Sequence, residues 1–177
     1  MSESTEAAVR AEVRAWLTEN WNPDLGLVQW RSLLADSGWG CPTWPRAWYG
    51  RSLPEPLAEV VREEFDRVGA VGVAQGGGTP LAAVTLLEHG SEEQKRAMLR
   101  PILTGEHTWC QLFSEPGSGS DLAGLTTRAD RDGDEYVVNG QKVWTTSAHH
   151  ARYGMLLART NWDVPKHQGI TYFAIEM

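Results

Sequence analysis

With 177 residues the chain can bury a core as one compact domain or two small ones, and 41% hydrophobic against 22% charged residues fits a soluble globular protein. The net charge of -7, from 16 Lys and Arg against 23 Asp and Glu with no basic run, excludes nucleic acid as an expected partner, because phosphate neutralisation needs clustered positive charge. The acidic start is not a secretory signal, no apolar stretch approaches membrane-spanning length, and Cys41 and Cys110 form no metal or redox motif, so the expected compartment is the cytoplasm.

The first hundred residues carry helical periodicity. Val9, Val13, Trp16 and Leu17 lie on one face of an amphipathic helix, and a second helix is predicted from Asp24 to Ser37, stopped by Gly38. A breaker-rich loop follows from Trp39 to Gly50. Leu57, Val60, Val61, Phe65 and Val68 mark a third helix introduced by Pro54 and Pro56; Pro80 opens a fourth that should end near Gly90. Ser91-Glu-Glu-Gln94 reads as a capping box, and Pro101 predicts a kink or early end in the helix before Gly105. Of the nine tryptophans, Trp16, Trp21, Trp30, Trp39, Trp44 and Trp48 precede residue 50. Indoles mostly pack cores and interfaces; a binding groove is the other reading, and their spacing does not decide between them.

After residue 108 the period shortens. Strand-like runs occupy Thr126–Arg131, Glu135–Val138, Gln141–Thr146, Tyr153–Thr160 and Ile170–Met177, with hairpin signals at Asp132-Gly133 and Asn139-Gly140. The predicted class is α+β: a helical domain over residues 1–107, then an antiparallel β domain over 108–177. The sequence ends inside an apparent strand, so the β domain reads as truncated, either an incomplete chain or one completed by another polypeptide.

Two segments carry chemistry. Trp109-Cys-Gln-Leu-Phe-Ser-Glu-Pro-Gly-Ser-Gly-Ser-Asp121 leaves an apolar run for a loop in which Gly117 and Gly119, at positive φ, could turn backbone N–H groups inward beside serine hydroxyls, a cradle for phosphate oxygens. Lys142-Val-Trp-Thr-Thr146 adds a flat indole and two hydroxyls on a predicted strand, suited to a planar ring. Together they point to a phosphate-bearing aromatic cofactor. Glu115 invites the role of general base, with loop ordering as the competing role. His149-His150 resembles a site only superficially, since adjacent side chains tend to point apart and no third ligand lies at metal-like spacing.

His89-Gly-Ser-Glu-Glu-Gln-Lys95, Pro101-Ile-Leu-Thr-Gly-Glu106, Ser114-Glu-Pro-Gly-Ser-Gly-Ser-Asp121, Asn139-Gly-Gln-Lys-Val-Trp-Thr-Thr146 and Leu156-Leu-Ala-Arg159 together resemble the acyl-CoA dehydrogenases, flavin enzymes that introduce an α,β double bond into acyl-CoA thioesters. The resemblance implies FAD as cofactor, acyl-CoA as substrate, electron-transferring flavoprotein as acceptor, and a homo- or hetero-oligomer. It implies that Gln111, Leu112, Phe113 and Ser114 line the flavin ring, with Ser114 standing where threonine is commoner. Gly119 and Ser120 would meet the cofactor, Ser120 near both the pyrophosphate and the acyl-CoA. Trp144 would flank the ring, and Thr145 and Thr146 would reach it, Thr146 near N5 through its hydroxyl or backbone. The family's catalytic glutamate belongs to a C-terminal helical domain, so the resemblance places no catalytic residue and no metal in this sequence, and implies an inactive isolated chain. Alternatives are a non-catalytic flavin-site subunit of a hetero-oligomer, and a flavin oxidase or monooxygenase of the same fold.

Overall fold

The computed structural model describes residues 5–177; the first four residues of the acidic start lie outside them. The described residues fall into two units, one running to Gln75 and resuming over Ala83–Glu106, the other comprising Gly76–Ala82 and His107–Met177. No helix among the described residues is long and apolar enough to cross a membrane.

The first unit is helical. α1 (Glu6–Asn20) starts where the Thr5 hydroxyl accepts the Ala8 amide, and it buries Val9, Val13 and Leu17, the face the periodicity marks. α2 (Leu27–Ser37) begins three residues later than Asp24, because the Asn22 side chain takes the Asp24 amide and holds the chain in a turn there. α3 (Glu55–Val68) carries proline in its first turn and buries Val60, Val61 and Phe65. α4 spans Thr79–His89, its first residues belonging to the second unit. α5 (Glu92–Thr104) has both capping-box bonds, between Ser91 and Gln94. It neither ends early nor stops at Pro101. Burial of Ile102, Leu103 and Thr104 outweighs the one helical bond that proline removes.

α1 packs on α3 and α2 on α5. Their core holds Trp30 and Trp39, with Trp16, Trp21 and Trp44 against it. Trp16 and Trp21 lie 5.5 and 4.6 Å from Trp30 between ring centroids, and the Trp21 and Trp30 indoles donate to the Val68 and Val71 carbonyls. These five tryptophans are packing residues. A feature with no periodic signal sits between α1 and α3. Glu64, 1% exposed, accepts from Arg10, Arg14 and Arg67 at 2.7–3.0 Å. The bonds from Arg14, then from Arg67 and Arg10, outweigh burial and hold its carboxyl well below the usual range.

The second unit is built on one five-stranded sheet: β1 (Trp109–Leu112), β2 (Arg128–Asp132), β3 (Glu135–Asn139), β4 (Tyr153–Arg159) and β5 (Ile170–Glu176). The α+β class is the observed one, and the sheet is mixed. β2 with β3 and β4 with β5 are antiparallel, whereas β1 runs parallel to β4 from Trp109↔Tyr153 to Leu112↔Leu156, and Arg128 of β2 pairs in parallel with Arg159. Parallel neighbours need long crossovers, which the segments linking β1, β2 and β4 supply. Cys110, Leu112, Ala129, Leu156 and Ala158 form the core of this unit.

Of the two hairpin signals, one is used. Gly133, at φ +63°, is the first residue of the tight turn joining β2 and β3. Gly140 keeps an ordinary φ and makes no hairpin; a Cβ there would lie 2.7 Å from Thr127 Cα, so glycine serves a close backbone approach. The predicted strand Gln141–Thr146 is a loop. Trp144 at φ +59° cannot continue a strand, and the segment spends its hydrogen bonds on the chain leaving β1.

Candidate functional site

β1 sets the first wall. Its side chains alternate, so Cys110 and Leu112 enter the core while Gln111 faces solvent. Leu112 can therefore reach a ligand only through its backbone. Phe113 and Ser114 follow, half-buried, and then the chain reverses sharply: Glu115 and Ser118 exchange N–H···O bonds of 2.8 and 3.1 Å. The Ser118 hydroxyl donates to the Asp121 carbonyl at 2.7 Å.

The glycines of this loop do not act through positive φ; Gly117 and Gly119 both have ordinary backbone angles. Instead, a Cβ at either position would meet nothing within 4 Å, so the backbone lies bare. Among the described residues the Gly119 and Ser120 amides and the Ser120 hydroxyl, all exposed, donate to no group of the chain. Three donors without an acceptor in the described chain, on a bare backbone, suit an anionic oxygen.

The second wall is the loop after β3, and two bonds lock it to the first. The Val143 amide donates to the Ser114 carbonyl at 2.9 Å, and Lys142 Nζ donates to the Phe113 carbonyl at 2.9 Å. They hold Phe113 and Ser114 against Lys142 and Val143, with Trp144 next along the chain. Trp144 is 91% exposed and held in the left-handed region, a costly combination for a bulky residue. Ser147 is left-handed as well, at φ +62°. The Thr146 amide is already used, donating to the Trp144 carbonyl at 3.1 Å, so Thr146 has its hydroxyl to offer.

Glu115 is an ordering residue. One carboxylate oxygen accepts the Thr126 amide and hydroxyl at 2.7 and 2.8 Å; the other accepts the Thr127 amide and Lys142 Nζ at 2.8 and 2.9 Å. Burial opposes its charge, but bonds from Thr127, the Thr126 amide and Lys142 prevail and lower its pKa to about 2. A carboxylate so acidic and so fully bonded is no general base. Lys142 lies inside the quoted motif, yet nothing in its spacing marks it as the anchor of the wall. His149 and His150 sit on a short 3-10 turn, exposed, with ring centroids 3.9 Å apart rather than pointing away from each other. Among the described residues no three His, Cys, Asp or Glu side chains form a group that could hold a metal.

Residues 2–106 match the N-terminal domain of acyl-CoA dehydrogenase and residues 110–177 match its middle domain. The chain belongs to the acyl-CoA dehydrogenase family. It is 47% identical to the acyl-CoA dehydrogenase FadE34 of Mycobacterium tuberculosis over 81% of this chain and 20% of that one. It is 35% identical to the acyl-CoA dehydrogenase IpdE1 of the same organism over 95% of this chain and 48% of that one. Among solved structures, the Tcur3481-Tcur3483 steroid ACAD G363A variant matches with a TM-score of 0.68 and 33% identity over 97% of this chain and 48% of that one. The ChsE4-ChsE5 complex from Mycobacterium tuberculosis matches with 0.67 and 30% over 99% and 48%. The chain thus spans at most about half the length of each of these relatives and neighbours. The family consists of oxidoreductases acting on CH–CH donors.

Proposed function

We propose that this chain supplies one wall of an FAD site for the α,β-dehydrogenation of an acyl-CoA thioester. The observation that carries the reading is Trp144, an exposed indole kept in a strained backbone and locked beside β1. An aromatic face of that size left open suits the planar ring it would flank, and covering it would repay the strain. When bound, FAD supplies a two-electron acceptor for the hydride leaving the acyl β carbon.

The chain's own residues then have distinct tasks. Gln111 and the backbone from Leu112 to Ser114 line one edge of the ring, with the Ser114 hydroxyl free to bond its polar rim. Gly119 and Ser120 hold phosphate oxygens through amides and one hydroxyl, Ser120 also facing the acyl-CoA. Thr145 and the Thr146 hydroxyl lie next to Trp144 and offer donors to the ring. Proton removal from the α carbon falls to a base outside residues 109–146, since Glu115 is committed to the loop. The acceptor of the electrons is an electron-transferring flavoprotein.

For substrate, the Tcur3481-Tcur3483 neighbours, named as a steroid ACAD, support a steroid-derived acyl-CoA. A second reading has support of its own: a neighbour described as a two-component complex favours this chain working as one subunit of a hetero-oligomer. Native purification followed by anaerobic addition of a steroid-derived acyl-CoA tests both. Bleaching of the flavin absorbance in a two-chain species supports the hetero-oligomeric dehydrogenase. Bleaching in this polypeptide alone sinks the subunit reading, and flavin that stays oxidised with every acyl-CoA sinks the dehydrogenase.

A further inference from the structure

Arg159, the last residue of the Leu156-Leu-Ala-Arg motif, has no task in the reading above, yet its position is unusual. It is 5% exposed at the end of β4, and all its hydrogen-bond acceptors are neutral carbonyls. Nη2 donates to Ala123 at 2.7 Å and Leu125 at 3.2 Å, Nε donates to Leu125 at 3.3 Å, and Nη1 donates to Lys166 at 3.0 Å. Trp162 covers the guanidinium at 5.1 Å. A Cβ on Gly169 would run into the Asn161 carbonyl and come within 3.0 Å of Nη1, so glycine there permits the close backbone approach that walls the head group.

The contacts continue from Arg159 to the cofactor loop. Lys166, whose carbonyl Arg159 holds, sends its own Nζ back to both Asp121 carboxylate oxygens at 2.7 Å. The Asp121 carbonyl in turn accepts the Ser118 hydroxyl at 2.7 Å. Ser118 and Asp121 flank Gly119 and Ser120 on either side. The two residues whose amides have no acceptor in the described chain are thereby fixed at both ends, and the rigid fork of five donors on Arg159 holds carbonyls of both loops at once.

Building on the FAD reading, we infer that Arg159 is the positioning residue of the Gly119–Ser120 diphosphate cradle, acting through Lys166 and the Asp121 carboxylate. Preorganised donors bind an anion without first being ordered, so loosening the clamp weakens the diphosphate contact and leaves the ring contact intact.

The test compares FAD with lumiflavin, which has the ring and no diphosphate, on the 177-residue chain and its Arg159→Lys and Lys166→Met variants. Lys166 is half exposed, so its loss leaves the sheet folded even if Arg159→Lys does not. Arg159→Lys should bind FAD about tenfold more weakly and Lys166→Met, which breaks an exposed ion pair, about threefold, while lumiflavin changes less than about 1.5-fold. Hydrogen exchange should quicken at the Gly124 and Leu125 amides, bonded at 3.0 and 3.1 Å to Asp121 and Leu122, with β4 and β5 unchanged. Unchanged FAD affinity, or an equal loss for both flavins, overturns the inference. If the unaltered chain binds neither flavin, the cofactor reading fails separately, and exchange alone decides: quickened Gly124 and Leu125 uphold the clamp, unchanged amides overturn it.

Discussion

Trp144 pays for its position with backbone strain, and that cost is separable from its use. Replacing it by glycine removes a non-glycine residue from φ +59° and exposes no buried surface. The Trp144→Gly chain should therefore gain about 0.5–1 kcal/mol of stability in urea unfolding. It should lose flavin affinity at the same time. A variant that is neither more stable nor weaker for flavin would leave the strained indole without explanation.

Glu115 makes a second prediction at this scale, with a definite sign. Its pKa falls from 4.5 to about 2, so the folded chain binds fewer protons than the unfolded one between those values. The stability it contributes is complete above pH 4.5 and is lost as pH falls toward 2. Glu115→Gln should cost about 1–3 kcal/mol near neutrality, where Lys142 is left with a poorer partner. Urea midpoints of the variant should also decline less steeply below pH 4.5 than those of the parent. Parallel pH profiles would mean that the carboxylate is not ionised in the fold as its bonds require. Glu64 slopes the same way through its three arginines, and does so in both proteins.

At the scale of elements, the helices were legible because their signals are local. The Val9, Val13 and Leu17 face, the Ser91–Gln94 box and the glycine stops are short-range patterns that tertiary context only reinforces. Ser91→Ala should accordingly cost about 1 kcal/mol, read as a lowered urea midpoint, and no change would show that α5 is held by packing alone. The loop over 141–146 was misread because alternation of residue types cannot register the left-handed turn at Trp144 or the bonds to Phe113 and Ser114. The parallel pairing of β1 with β4 was out of reach for a related reason. Its partners are more than forty residues apart, and hairpin signals report only antiparallel neighbours.

For the whole molecule, the motifs singled out two segments that the fold links by hydrogen bonds, without explaining how. Gln111–Ser114 and Trp144–Thr146 were recognised by motif. The device that joins them, a buried Lys142–Glu115 pair reaching Phe113, Thr126 and Thr127, is a tertiary arrangement that no spacing encodes. The same holds for Arg159, whose acceptors are carbonyls and therefore leave no trace in residue identity. A family match over two successive domains and a candidate site within the second make the proposed flavin wall the central claim.

One titration tests it most directly. FAD is added to the 177-residue chain and to Trp144→Ala while the flavin spectrum and the tryptophan fluorescence are followed together. Saturable binding is predicted for the parent, with quenching of the indole emission and a perturbed flavin band, and affinity about tenfold weaker or worse in the variant. Equal binding by the two chains, or none by the parent, would contradict the claim.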